Sequence, residues 1–120
     1  MRATLSSALR DDDFEHMVPL ATAWTEGVKT SYEAAGLPWH VQQLGARAEY
    51  WFCPPPRNGR MAAAGIDADL DRFMHLWAMN RGILLTPFHN MALFSPSHQR
   101  ADVDRHTEVF AAAVEALTAS

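Results

Sequence analysis

The residues of this chain best placed for binding chemistry are His89 and Asn90, which occupy a short predicted turn between two apolar runs. Turns that a packed scaffold holds in place often display binding groups. The plainer interpretation is that Asn90 only supplies the backbone conformation that a turn requires. We therefore treat both residues as candidate ligand-binding groups, with a conformational role for Asn90 as the alternative.

A second polar pair, Arg47 and Glu49, alternates with apolar residues along one predicted strand. Side chains two positions apart in a strand share a face, so these groups could pair with each other or meet a polar ligand. The alternative is an ion pair at the rim of the sheet, which would add little to stability. The turn Arg57-Asn58-Gly59-Arg60 could likewise grip an anion, but its residue types are typical of any solvated turn.

Other reactive side chains do not form a set at catalytic spacing. The six histidines include no pair with a glutamate at the spacing of a zinc-binding helix, and the single cysteine, Cys53, leaves no Cys-x-x-Cys site. We predict no metal site and expect structural roles for the histidines, with His106 half-buried on the last helix. Ser95 and His98 are close in sequence, but no Gly-x-Ser-x-Gly elbow is present. Lys29, the only lysine, lies beside the apolar stripe of the first predicted helix, so we expect it on the surface.

Length and composition describe a small globular protein. The 120 residues are enough for one domain with a modest core, and 48% hydrophobic and 20% charged residues are ordinary for a folded protein. The net charge of −4 and the scattered arginines argue against a nucleic-acid partner. No apolar run approaches the ~20 residues that span a bilayer, and the first residues do not make a secretory signal. We therefore expect a single-domain, cytoplasmic protein that binds neither nucleic acid nor membrane.

Hydrophobic periodicity predicts three helices and four strands. The first helix carries an apolar stripe from Phe14 to Ala35, although Pro19 favours a main helix that begins near Val18. Asp67 has the residue type and position of an N-cap for the second helix. The other predicted elements are strands over 39–44, 47–53, 83–86 and 91–95, with helices over 68–81 and 101–118. This order predicts an α+β fold, a small largely antiparallel sheet with helices packed on one face.

Several segments together resemble a known family. They are, in chain order, Gly36-Leu-Pro-Trp-His40, Arg81-Gly-Ile-Leu-Leu-Thr-Pro87, Ala92-Leu-Phe-Ser-Pro96 and Ala101-Asp-Val-Asp-Arg105. In order and spacing they are similar to the C-terminal small domain of class III pyridoxal-phosphate-dependent aminotransferases, the family that includes glutamate-1-semialdehyde aminomutases. The resemblance covers nearly the whole chain. It implies the small-domain fold of fold-type I enzymes.

The resemblance implies a cofactor and a partner that this chain does not itself supply. In the family, a lysine in a larger domain binds pyridoxal phosphate, and the small domain helps to close the active site within a homodimer. That lysine lies upstream of the matching segment. We therefore expect residues 1–120 to be the small domain, inactive and without cofactor unless the cofactor domain or a companion chain is present. The complete enzyme would move an amino group between an amino acid or amine and a keto acid, or act as an aminomutase.

The same resemblance bears on the candidate substrate-binding residues. Aminomutase-like members have a glutamate near the position of Asn90, and several other members have a carboxylate-binding arginine near the position of Leu93. This chain has neither. The resemblance therefore leaves Arg47, on the neighbouring predicted strand, as the candidate carboxylate partner beside His89 and Asn90. No catalytic residue is assigned.

A second function stays open, a stand-alone dimerisation or interaction module that keeps the small-domain fold without catalysis. Both functions predict exposed apolar area around Trp39, Trp51, Phe88 or Met91, because a domain without its companion uncovers an interface. They differ in behaviour. A fragment of an enzyme should be poorly stable by itself, whereas an independent module should form a discrete oligomer.

Overall fold

The computed structural model describes residues 2–119 and shows a three-stranded antiparallel sheet with helices packed against it. After a π-helical turn at Thr4–Ala8, the elements are α1 (Asp11–Ala34), β1 (His40–Leu44), β2 (Arg47–Trp51), α2 (Gly59–Ala64), α3 (Ala68–Met79), β3 (Met91–Leu93) and α4 (Arg100–Thr118). The sheet order is β1-β2-β3, so β2 is the central strand. The predicted α+β class is confirmed.

The first helix, α1, begins at Asp11 rather than near Val18, and Pro19 lies inside it. Pro19 has no N–H, so the Glu15 carbonyl loses its usual helical hydrogen bond. Both residues are exposed, and water can bind that carbonyl instead. Met17, N-terminal to the proline, is only 2% exposed. Packing of this apolar face outweighs the local cost of proline, and the expectation of a main helix that begins near Val18 is wrong.

A tight hairpin sets the register of the sheet. Gly45 has φ +58°, a positive value that the first position of a two-residue type II′ hairpin loop requires. Facing Cα pairs run from Leu44 opposite Arg47 to His40 opposite Trp51. The predicted tight connection is confirmed, and β2 alternates between a buried face and a second, more exposed face.

One of the four predicted strands, over residues 83–86, is wrong. This segment is joined to the flank of β3 by a backbone hydrogen bond from Thr86 N to Met91 O at 3.4 Å, and it forms no ladder. Leu85 is 7% exposed but Leu84 is 76% exposed, so burial holds only one of the two central side chains. Pro87 has no N–H with which to extend pairing. A gap therefore separates the segment from β3.

Capping decides where the middle helices begin. α2 was not predicted from the sequence. It follows the N-cap Asn58, whose Oδ1 accepts a hydrogen bond from Met61 N at 3.0 Å. The predicted cap of α3 is confirmed, because Asp67 Oδ1 accepts hydrogen bonds from Asp69 N at 3.1 Å and Leu70 N at 3.0 Å. α3 and β3 end earlier than predicted, at residue 79 against 81 and at residue 93 against 95.

One apolar core lies between the sheet and the helices. α1 packs on β1, β2 and α4, and α3 packs on α4. Aromatic rings fill the centre: the centroid of Trp24 lies 6.0 Å from that of Tyr50, and Phe110 lies 5.0 Å from Tyr50. Trp39 is 8% exposed and stacks on Tyr50. The expectation of exposed apolar area at Trp39 is therefore wrong, because this ring closes the core.

Replacing Gly27 with alanine is expected to destabilise the protein, because α1 and α4 approach closely there. A Cβ at position 27 would clash with Thr107 Oγ1 and would lie 2.9 Å from Thr107 Cγ2. Overpacking of this kind costs roughly 1–3 kcal/mol, and the better helix propensity of alanine offsets about 1 kcal/mol of it. Urea unfolding followed by circular dichroism measures the change in the free energy of unfolding.

Gly59→Ala is the matched control, since a Cβ at that position meets nothing within 4 Å. We expect its stability to stay within about 0.5 kcal/mol of the wild type. Adding Thr107→Ala to Gly27→Ala removes both clashing atoms and should restore much of the loss. If Gly27→Ala and Gly59→Ala unfold at the same urea concentration, α1 and α4 do not approach as closely as described.

Candidate functional site

One face of the sheet carries Arg47 and points away from the core, and we call it the outer face. The register places these side chains on it: His40, Gln42, Leu44, Arg47, Glu49, Trp51, Met91 and Leu93. Leu44 and Leu93 are 74% and 56% exposed, whereas Tyr50 on the opposite face is 1% exposed. The outer face therefore presents an exposed guanidinium among apolar side chains.

His89 reaches the outer face through Glu49. His89 Nδ1 lies 3.2 Å from Glu49 Oε1, with the glutamate side chain 13% exposed and the histidine side chain 55% exposed. The contact is an ion pair when the imidazole is protonated. Arg47 and Glu49, which the sequence suggests as a pair, do not pair among the described residues. Glu49 contacts His89 instead, and the exposed Arg47 guanidinium is open to solvent.

Asn90 is turned inwards and fixes the loop in place. It is 9% exposed, its Oδ1 accepts a hydrogen bond from His75 Nε2 at 3.2 Å, and its carbonyl accepts one from Tyr50 N at 3.1 Å. Asp71 Oδ1 lies 3.7 Å from the same His75 nitrogen. Burial, and then the Asp71 carboxylate, raise the pKa of Tyr50, so its phenol stays protonated. These contacts give Asn90 a structural role, and ligand binding by its amide stays a prediction.

The tip of the loop holds an exposed aromatic ring. Phe88 is 94% exposed and has φ 65°, a left-handed conformation that is uncommon for residues with a side chain. The hydrogen bond from His89 N to Thr86 O at 3.2 Å closes the turn behind it. The expectation of exposed apolar area at Phe88 is confirmed, while Trp51 and Met91 are half-buried.

Two contacts of this site could hardly be read from the sequence. The spacing of four residues between Asp71 and His75 is the one local signal that His75 belongs to a polar cluster. Glu49 and His89 are 40 residues apart, and nothing in their local sequence connects them. After α2 and α3 the chain returns to β2, where His89 contacts Glu49 and the Asn90 carbonyl accepts a hydrogen bond from Tyr50 N.

The other residues considered for chemistry have structural roles. Ser95 N donates a hydrogen bond to His98 Nδ1 at 2.8 Å, and the Ser95 hydroxyl lies 3.2 Å from the same atom, so the pair closes the turn before α4. Lys29 is exposed on α1, with its Nζ 3.9 Å from Glu33 Oε1. The prediction of a surface lysine is confirmed.

Within residues 2–119, no group of three or more histidine, cysteine, aspartate or glutamate side chains is arranged to hold a metal ion. None of the helices in this part of the chain has the length and apolar character needed to cross a membrane.

Two curated relatives are similar to the chain in sequence, and both are named glutamate-1-semialdehyde 2,1-aminomutase. The relative from Opitutus terrae is 30% identical over 117 residues, which is 96% of this chain and 27% of the relative. The relative from Thermomicrobium roseum is 30% identical over 107 residues, which is 88% of this chain and 25% of the relative. The chain thus spans about a quarter of the length of these relatives. No protein-family model matches it.

Solved structures of glutamate-1-semialdehyde aminomutases are also similar to the chain. A glutamate-1-semialdehyde aminomutase from Pseudomonas aeruginosa PAO1 superposes with a TM-score of 0.94 at 41% identity, covering 98% of this chain and 26% of that one. A second structure of an aminomutase from this organism, in complex with PMP, has a TM-score of 0.91. An omega-transaminase from Sphaerobacter thermophilus, with a TM-score of 0.75 at 24% identity, shares the fold.

Proposed function

We infer that this chain, which is related in sequence and fold to class III pyridoxal-phosphate-dependent aminotransferases, is the C-terminal small domain of such an enzyme. The complete protein would move an amino group between an amino acid or amine and a keto acid, or act as an aminomutase. The observation that carries this proposal is the match over 98% of the chain to 26% of the Pseudomonas aeruginosa aminomutase at 41% identity.

The residues of this chain do not fit the aldehyde end of pyridoxal phosphate. That cofactor, when bound, withdraws electrons from the carbon that carries the amino group. A lysine that holds it must be desolvated and close to a pocket, whereas Lys29 is exposed on α1 beside Glu33. The proposal therefore places cofactor binding on a region that corresponds to the other three-quarters of the relatives, and we expect residues 1–120 alone to be inactive.

The contribution of this chain would be to bind and orient the substrate. Arg47 on the outer face offers a guanidinium that can hold a carboxylate with two parallel hydrogen bonds. Glu49 and His89 lie on the same face at 3.2 Å from each other and would bind polar groups nearby. Asn90, held by His75, keeps the loop that carries His89 at a fixed distance from β2. The three candidate residues thus support a role in substrate recognition rather than in proton transfer.

Exposed apolar side chains support a companion region that covers the outer face. Leu44 is 74% exposed, Leu93 is 56% exposed and Phe88 is 94% exposed. Leu44 and Leu93 lie on either side of Arg47 across the sheet, and exposed apolar side chains grouped in this way are typical of a contact surface. A large domain, or a companion chain that supplies one, would bury them and place Arg47 next to the cofactor.

A hybrid enzyme tests the proposal. This chain replaces the matching quarter of the Pseudomonas aeruginosa aminomutase, and amino-group transfer by the hybrid is measured against the isolated chain. We expect activity in the hybrid only. Arg47→Ala in the hybrid should raise KM for a carboxylate substrate roughly 10- to 100-fold, the loss expected for a charged hydrogen bond.

Arg72→Ala is the control, because Arg72 is also an exposed arginine but lies on α3 against Asp69. Its KM should equal that of the unaltered hybrid. Equal effects of the two substitutions would remove Arg47 from the site. A hybrid that folds and binds cofactor but transfers no amino group, together with a discrete oligomer of the isolated chain in light scattering, would instead favour the interaction module.

A further inference from the structure

A cavity of about 310 Å³ lies on the other side of β3 from the outer face. It occupies the gap between residues 83–86 and β3, and α4 closes its far wall. Its deep lining is mostly apolar and includes Trp24, Leu85, Phe94 and Val103. A volume of this size is at the small end of ligand pockets, and much smaller apolar cavities already bind single-ring molecules.

The polar group in the deep wall is His106 of α4. It is 6% exposed, it lies 5.0 Å from the Trp24 ring between centroids, and its Nδ1 is buried without a hydrogen-bond partner among the described residues. The expectation of a half-buried histidine is therefore wrong, since the ring is almost completely enclosed. Burial lowers the pKa of His106 to about 4, so the imidazole is neutral at neutral pH. A neutral imidazole offers one N–H donor and one acceptor nitrogen.

The rim of the cavity carries both signs of charge. Asp102 and Arg105, both exposed on the first turns of α4, line the opening. The Asp102 carboxylate accepts a hydrogen bond from Gln99 N at 2.8 Å. The Asp102 carboxylate would repel an anion, and the Arg105 guanidinium would repel a cation. The rim therefore favours neither charge in a ligand. The volume of the cavity, its apolar lining and the mixed charge at its opening together favour a small neutral ligand.

We propose that this cavity is a binding site for a neutral single-ring aromatic molecule that carries one O–H or N–H, with that group hydrogen-bonded to the imidazole of His106. The ring would pack against Trp24 and Val103 in the apolar part of the cavity. Nδ1 is enclosed by the protein, so the ligand would bond Nε2, the other nitrogen of the ring. The site lies behind β3 and needs neither the cofactor nor the companion region.

Phenol and toluene are the probes, because they match in size and differ in the hydroxyl group. Each is titrated into the isotope-labelled chain, and NMR shifts are followed at the Val103 methyl groups and the His106 ring. We expect saturable binding of phenol at both residues, about tenfold tighter than toluene, as one added hydrogen bond provides. In the His106→Leu variant the two probes should bind equally.

A pair of isoleucine variants locates the site. Ile83 is half-buried and lines the cavity, whereas Ile66 is 75% exposed between α2 and α3. Ile83→Trp should fill the opening and abolish phenol binding, and Ile66→Trp should leave it unchanged. Shifts centred on Leu44, equal affinity for the two probes in the wild type, or full binding by Ile83→Trp would each overturn the proposal. The comparison of probes in the wild type holds even if Ile83→Trp does not fold.

Discussion

Replacing Trp24 with alanine is expected to cost about 3–5 kcal/mol, the usual cost of removing a fully buried tryptophan. Trp24 is 2% exposed and contacts both Tyr50 and His106 from the middle of α1. Its ring also lines the cavity behind β3, so the space left behind would join a gap that is already present. The loss is a large part of the 5–15 kcal/mol that stabilises a typical domain. Thermal unfolding should show a Tm lower by roughly 12–20 °C.

Trp51→Ala is the matched control for this prediction. Trp51 lies half-buried on the outer face, where its ring stacks on His40 with centroids 4.6 Å apart and an angle of 6° between the planes. Losing a stacked pair at such a position costs about 0.5–1.5 kcal/mol beyond the area it covers. A similar fall in Tm for both variants would show that Trp24 does not hold the centre of the core.

Acidification is expected to destabilise the protein between pH 6.5 and 4 through His106. Its pKa is about 4 when folded, because burial disfavours the charged ring, against an ordinary value of 6.5. In this window the unfolded chain binds a proton that the folded chain does not, so the free energy of unfolding falls as pH falls. The contribution is complete above pH 6.5, and about 3 kcal/mol is lost by pH 4, since each pKa unit corresponds to about 1.4 kcal/mol.

The measurement is urea unfolding at a series of pH values for the wild type and for His106→Leu. The variant cannot bind the proton, so its stability should fall less between pH 6.5 and 4. His16→Leu is the control, because His16 is exposed and contacts only the His98 carbonyl at Nε2, 2.7 Å away, among the described side-chain hydrogen bonds. Parallel curves for the wild type and His106→Leu would show that another group carries the acid sensitivity.

The candidate site could be predicted only in part. The types of His89, Asn90 and Arg47 and their places on a turn and a strand were visible in the sequence. Their partners were not, because Glu49 meets His89 and His75 meets Asn90 through contacts between distant segments. Local patterns indicate the face of the sheet on which a side chain lies. The contacts Glu49–His89 and His75–Asn90 also depend on how α3 and the loop before β3 pack against the sheet. Their binding roles stay predictions.

The cavity behind β3 had no signal in the sequence. Residues 83–86 have the composition of a strand, and a paired strand there would have filled the space. Whether such a segment pairs depends on the hydrogen bonds that it can make with an edge strand, and β3 offers only three residues. The position of His106 beside an apolar stripe was visible, but its enclosure by Trp24 arises from packing between α1 and α4.

Residue type, local spacing and segment order were enough to predict the α+β class, the hairpin at Gly45, the cap at Asp67 and the resemblance to class III aminotransferases. Tertiary structure alone decided that α1 runs through Pro19, that residues 83–86 do not pair, and that Trp39 is buried. In each of these cases a local preference worth a few kcal/mol competes with burial or pairing against a distant segment. The outcome of that competition is fixed only when the sheet and the helices pack together.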